Sequence, residues 1–417
     1  MSDSPSPLRS SVLSGLYPRL VAPIGPRGRR ALRLVRRFYD EQRALLLYAV
    51  RSRRALTLEP RGRSQGTVLL SYLLEPFLSD DPLPTTHTNF WESQQVAQTF
   101  VELGFTVDVI SFQNHAHVTR RRGYDFLVSL RTNLEKLAPQ VGDSCVKVLH
   151  ADVAHVLFHN AAEANRLLAL QQRRGVTLPP RRYSPPNLAI EHADCATVNG
   201  NEFTMSTYAY AGKPLYRLRK SALALRPHPG EKDLEASRRR FLWLGSAGFV
   251  HKGLDLVLET FAGLPELELL VAAPLEKEPD FVAAFAHELQ SCRNIRAIGW
   301  VNVASSDFAR IAGSCIGVVY PSSSEGGGGA VIDCLHAGLI PILTREASVD
   351  VHGFGTLLPA AGVDDVRDAV CEVVEAPAAD LRERSERAWM FARENHTRER
   401  FASDYRAVVA QLLGDRA

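Results

Sequence analysis

From residue 66 onward the chain alternates short apolar runs with longer segments of helical spacing. Residues 67–73, 105–112, 124–130, 145–150 and 193–198 read as strands. Helices are expected over 90–103, stopped by Gly104, and over about 160–174. A polar stretch, 219–238, then interrupts the rhythm with Pro227, Pro229 and Gly230. A second alternation follows, with strands at 240–245, 267–273, 295–299, 315–320 and 339–343. Helices at 253–263, 279–291, 304–313 and 329–337 separate them, and residues 363–413 read as mostly helical. Strands separated by helices predict a parallel sheet covered on both faces. Two such passages predict an α/β protein of two doubly wound, Rossmann-like domains. Ligands of such sheets bind at the carboxyl ends of the strands, so the cleft between domains is the expected site.

The pattern divides the chain into an extension (1–65), a first domain (66–218), a linker (219–238) and a second domain (239–400). A closing helix over 401–417 is expected to cross back to the first domain. Residues 1–28 are rich in Ser, Pro and Gly and are expected to be disordered. Residues 29–58 read as a helix, with Leu32, Leu34, Val35, Phe38 and Tyr39 at helical spacing and Arg33, Arg36 and Arg37 between them. This basic helix either packs on the body or rests on anionic lipid headgroups as a peripheral contact.

Charge sharpens that division. The chain carries +3 overall, while residues 1–66 hold fourteen Arg, no Lys and four acids, or +10; the rest carries the balance of −7. A mildly acidic body argues against nucleic acid as a partner. No apolar run reaches the ~20 residues of a membrane span, and the start lacks a continuous apolar signal segment. The six cysteines contain no CxxC pair and read as reduced thiols of a cytoplasmic protein. Arg outnumbers Lys 42 to 7, which suggests a bacterial, GC-rich origin.

Candidate chemistry concentrates in the second half. In YPSSSEGGGGAVIDCLHAGLIP (320–341) a strand ends in a Pro-Ser loop. Glu325 and four glycines follow, and then a helix carries Asp333. Glycines admit a close backbone approach, and a helix start offers unpaired N–H groups to an anion. In LGSAGFVHKGLDLVLETF (244–261), a strand ends at Gly245 and Ser246, and Lys252 with Gly253 opens a helix. A lysine there suits a diphosphate, although a KG pair alone is weak and no ATPase-type phosphate loop is present.

Together these segments resemble the retaining glycosyltransferases of family 4, which have the GT-B fold. Lys252–Gly253, the acids Glu325 and Asp333, and the turn HAGLIP (336–341) carry the resemblance over about residues 240–345. It implies that Lys252 neutralises a leaving nucleoside diphosphate and that Glu325 binds donor-sugar hydroxyls. Backbone groups of Gly326, Gly327 and Gly328 would contact sugar or phosphate, and Asp333 would bind the ribose. It also implies retention of anomeric configuration. Three positions depart from the family pattern. The Arg expected six residues before the Lys is Ser246. The second acid is Asp, where Glu is usual. The N-terminal glycine-rich loop is replaced by TTHTNFWE (85–92).

In that segment His87, Thr88 and Asn89 are candidate acceptor contacts, and Thr88 or Asn89 is also a candidate cap for the helix that follows. In HADVAHVLFHN (150–160), a histidine beside the donor sugar is expected by resemblance; His155 is favoured, then His150. The spacing does not match a zinc pattern, and no DxD motif is present, so no metal or other cofactor is expected. The expected activity is transfer of a sugar from a nucleoside diphosphate to the hydroxyl of a saccharide or lipid-linked acceptor, in polysaccharide or glycolipid synthesis at the inner face of the membrane. An epimerase or phosphorylase of the same fold, or a non-catalytic nucleotide- or carbohydrate-binding protein, is the alternative.

Overall fold

The computed structural model of the protein describes residues 55–78, 83, 87–115, 123–230 and 232–415. The expected disordered leader, and the basic helix as far as Arg54, lie outside these residues. Two sheets organise the described chain. The first contains β1 (Ala55–Leu58), β2 (Gly66–Tyr72), β3 (Phe105–Ser111), β4 (Phe126–Ser129), β5 (Val146–Ala151), β6 (Cys195–Asn199) and β7 (Leu215–Leu218), in the order β1-β3-β2-β4-β5-β6-β7. The second contains β8 (Arg240–Leu244), β9 (Glu268–Ala272), β10 (Ile295–Ala297), β11 (Gly317–Tyr320), β12 (Ile340–Leu343) and β13 (Thr356–Leu357), in the order β10-β9-β8-β11-β12-β13.

Pairing is parallel throughout except at β1, which runs antiparallel to β3 with Ala55 opposite Ile110. Parallel strands with crossover helices are covered on both faces, which explains the unbroken apolar runs. Along β2, Val68, Leu70 and Tyr72 face one cluster and Leu69 faces the other. Along β8, Phe241 and Trp243 enter one core while Leu242 and Leu244 enter the opposite one. Each sheet thus separates two apolar layers.

Several elements differ from the pattern reading. The helix expected through residue 58 gives way to strand β1, so the first sheet starts at Ala55, not at residue 66. There Leu56 and Leu58 turn toward the core while Ala55 and Thr57 face out, a two-residue period, and the Thr57 hydroxyl donates to Asp108 Oδ1 at 2.6 Å. The helix expected over 279–291 breaks at Phe285 into Pro279–Ala284 and Ala286–Gln290. Helices Arg131–Leu137 and Glu202–Tyr208 and strand β7 had no clear signal.

The two lobes touch at several points. Arg166 Nη2 donates to the Pro321 carbonyl at 2.6 Å, and the hydroxyls of Thr204 and Ser348 lie 2.6 Å apart. Helix Ala378–Asn395 packs Leu381, Ala388 and Ala392 into the second lobe. The chain then turns at His396, and helix Arg398–Gly414 places Phe401, Tyr405 and Leu412 in the core of the first. His396 Nδ1 donates to the Lys220 carbonyl at 2.9 Å, so the two segments crossing between the lobes are joined directly. No helix among the described residues is long and apolar enough to cross a membrane.

Candidate active site

A cleft of about 550 Å³ opens between the lobes. Its second-lobe wall is built by two strand-to-helix turns. At the first, β8 ends, Gly245 and Ser246 line the cleft, and Lys252 precedes helix Leu254–Ala262. At the second, β11 ends at Tyr320, and Glu325 and the glycines lead into helix Gly329–Leu335, which carries Asp333. Adjacent parallel strands β8 and β11 bring the two turns together.

Lys252 Nζ lies 3.4 Å from Glu325 Oε1. The Tyr320 hydroxyl sits between them, accepting from Lys252 at 3.0 Å and donating to Glu325 at 2.8 Å. Ser322 Oγ donates to the same carboxylate oxygen at 3.2 Å. Burial by itself would raise the Glu325 pKa. The opposing fields of Lys252, Arg182 and His251 and the Tyr320 hydrogen bond prevail and hold it at about 2. Asp333 behaves oppositely. Burial pushes its carboxyl up to about 7, with only the Leu223 N–H, donating at 3.0 Å to Oδ1, and more distant cations countering it.

The glycines have a reason beyond ligand approach. A Cβ on Gly326 would stand 2.1 Å from the Asp152 carbonyl oxygen of the first lobe. The loop is therefore also a seam between lobes. Gly326 and Gly328 line the cleft, whereas Gly327 is pressed against Gly200 and the Lys220 side chain and does not. Gly253 also stands outside the lining. Its Cβ would meet the Pro321 carbonyl at 2.5 Å, so it lets the lysine turn approach the glutamate loop.

The first-lobe wall contains His87, Thr88 and Asn89, together with Arg131, Asp152, His159, Arg182 and Lys220. Thr88 does not cap its helix: its hydroxyl makes no cap bond and is buried without a partner among the described residues. Asn89 Oδ1 instead accepts from Lys220 Nζ at 3.0 Å, and the ammonium also lies 3.6 Å from buried Glu92. Arg131 pairs with Asp152.

The histidines favoured from sequence are not in the cleft. His150 is buried beside Tyr72, with Nδ1 2.9 Å from Thr197 Oγ1, and burial lowers its pKa to about 4. His155 caps helix Val156–Arg174 through Nδ1 and turns Nε2 to the Tyr210 hydroxyl at 3.0 Å. One helical turn later, His159 lines the cleft. Its Nε2 donates to the Arg182 carbonyl at 2.7 Å, and its Nδ1 accepts from Ser324 Oγ at 3.0 Å. Burial lowers its pKa, and donation to the Arg182 carbonyl selects this tautomer. Sequence reading also missed Arg131, Asp152, Arg182 and Lys220. The last is one of only seven lysines and was assigned to a polar linker.

No protein-family model and no curated protein matches the chain. Solved structures do. Sucrose-phosphate synthase from Thermosynechococcus elongatus superposes with a TM-score of 0.56 at 14% identity, covering 84% of this chain and 100% of that one. HepE from Anabaena in complex with UDP gives 0.54 at 12% identity, over 84% and 100%. The fold is GT-B. A glycosyltransferase from Rickettsia africae is similar as well, with a TM-score of 0.54 at 10% identity over 84% and 99%. At these identities the likeness to GT-B enzymes is one of architecture, and the chemistry must be argued from the cleft.

Proposed function

We propose that the protein is a glycosyltransferase that moves a sugar from a nucleoside diphosphate to an acceptor hydroxyl. The observation that carries this reading is the 3.4 Å approach of Lys252 to Glu325 in a cleft that Asp333 also lines. A buried ammonium is suited to the charge that develops on a departing diphosphate, and an ionised carboxylate beside it accepts hydrogen bonds from sugar hydroxyls. Asp333, farther along the helix from the glycine loop, would accept from the ribose. The lining also contains Leu244, Ala272, Trp300, Val301 and Val303, an apolar surface suited to a nucleobase.

HepE was solved with UDP and with UDP-glucose, which is the kind of ligand this cleft would take. Membership of family 4 and retention of configuration are part of the proposal, supported by the Lys–Gly and Glu–Asp motifs. A saccharide or lipid-linked acceptor would enter beside His87, Asn89 and Lys220, with the basic extension as a peripheral membrane contact. Synthesis of cell-surface polysaccharide or glycolipid is the setting we propose.

The test is a donor panel. UDP-, GDP-, ADP- and CDP-sugars are incubated with the protein, and release of the nucleoside diphosphate is followed with and without simple acceptors. Turnover of one donor, abolished in Glu325→Gln, supports the reading; no turnover of any donor, with no diphosphate bound, opposes it.

A further inference from the structure

Among the described residues, Lys252 is the only cation that the second lobe contributes to the lining of the cleft. Ser246, in the turn that precedes it, has a side chain that is short, neutral and exposed at the cleft. A diphosphate carries two to three negative charges, and Lys252 is already engaged with Glu325 and Tyr320.

The other lobe supplies an arginine at the same place. Arg182 lies between helix Val156–Arg174 and β6, lines the cleft, and passes directly over the loop containing Ser246. A Cβ on Gly248 would stand 2.6 Å from Arg182 Cγ and 2.7 Å from its Cδ. Gly248 has φ +95°, so a glycine is needed there both for backbone conformation and for the passage of the arginine stem. The backbone of Arg182 is fixed at both ends. Its N–H donates to Glu163 Oε1 at 2.7 Å, and its carbonyl accepts from His159 at 2.7 Å. Its guanidinium, by contrast, has no ion-pair partner among the described residues, whereas neighbouring Arg181 is paired with Asp280. The Arg182 charge nevertheless reaches the site, being among the fields that depress Glu325 and Lys252.

We infer that Arg182 is the second phosphate-binding cation, reaching across from the first lobe to supply a charge that Ser246 does not. This inference rests on the donor-binding reading above. Its consequence is that the diphosphate is held from both lobes, by Lys252 on one side and Arg182 on the other. Binding the donor then also draws the lobes together, whereas an arginine at position 246 would bind phosphate from within a single lobe. An arginine fork gives bidentate phosphate recognition that a lysine does not, so Arg182→Lys should replace it only in part.

The test is titration calorimetry of UDP, GDP, ADP and CDP, each beside its nucleoside, with wild type, Arg182→Met, Arg182→Lys and the double variant Arg182→Met/Ser246→Arg. For the nucleoside diphosphate that wild type binds best, Arg182→Met should weaken binding at least tenfold and leave the nucleoside unchanged. Arg182→Lys should fall between, and the double variant should return to within about threefold of wild type. Unchanged diphosphate affinity in Arg182→Met overturns the inference, as does equal loss of nucleoside and diphosphate, which would mark a merely structural role. If wild type binds none of the four diphosphates, the donor-binding reading fails first and this inference with it.

Discussion

Lys252 and Glu325 are joined twice, directly at 3.4 Å and through the hydroxyl of Tyr320, which accepts from the one and donates to the other. The pair forms only because the lysine turn and the glutamate loop follow adjacent parallel strands. Glu325→Gln should lower transfer by at least 100-fold while nucleoside diphosphate affinity stays within about threefold, measured by steady-state kinetics and calorimetry. The fold favours the ionised form of Glu325. Its contribution to stability is therefore present above the ordinary carboxyl value near 4.5 and lost as pH falls toward about 2. Thermal unfolding of wild type and Glu325→Gln should accordingly differ at pH 7 and converge in strong acid.

Tyr320→Phe removes the hydroxyl between the pair and leaves the ring in its buried place. The hydroxyl makes two hydrogen bonds, both to charged groups, and each contributes roughly 1.5–3 kcal/mol, so the melting temperature should fall by several degrees. Transfer should fall further, by about tenfold, because Lys252 and Glu325 lose the group that orients them. A variant with full activity would remove Tyr320 from the account.

Asp333 should give the donor site a pH dependence near neutrality. Its folded pKa of about 7 lies above the ordinary 3.8, so folding favours the protonated form. Stability is lost as pH rises from about 4 through about 7, by roughly 4 kcal/mol at 1.4 kcal/mol per unit. Asp333→Asn should therefore raise the melting temperature at pH 8.5 and change it little at pH 4. If the carboxylate accepts from ribose, the same substitution should also flatten the rise in nucleoside affinity across pH 6–8.

How much of this was open to sequence reading depended on whether the signal was local. Parallel strands buried on both faces leave unbroken apolar runs, which is why β8, β9 and β11 were legible. Edge strands β1 and β7 are only half buried and leave no such run. Lys252, Glu325 and Asp333 each sit in a strand–turn–helix passage whose glycines announce it. Arg131, Asp152, Arg182 and Lys220 come from four separate segments and meet only when the first lobe folds. The error over histidine has the same origin. His155 and His159 are one turn apart, and only the direction of helix Val156–Arg174 decides that the first meets Tyr210 and the second the cleft.

The seam between lobes can be tested at Gly326. A methyl there would collide with the Asp152 carbonyl, a backbone atom that cannot swing aside. Gly326→Ala should force the lobes apart, lowering transfer by more than tenfold while nucleoside binding, which the proposal assigns to the second lobe, persists. Small-angle scattering of the variant should show a larger radius of gyration than wild type.

Trp300 is 56% exposed at the lip of the cleft, while Trp243 is fully buried. Nucleotide binding should therefore quench tryptophan fluorescence, and Trp300→Phe should remove the quench. Trp300→Ala should weaken the nucleoside and its diphosphate equally, by about tenfold, since a stacked base is common to both.

The central claim is that the lysine turn and the glycine loop grip a diphosphate between them. It is tested most directly by calorimetric titration of the four nucleoside diphosphates and their nucleosides into wild type and Lys252→Met. At least one diphosphate should bind wild type more tightly than its nucleoside. Lys252→Met should erase that difference, leaving nucleoside affinity as an internal measure of an intact fold. A variant that still prefers the diphosphate as strongly as wild type would contradict the claim.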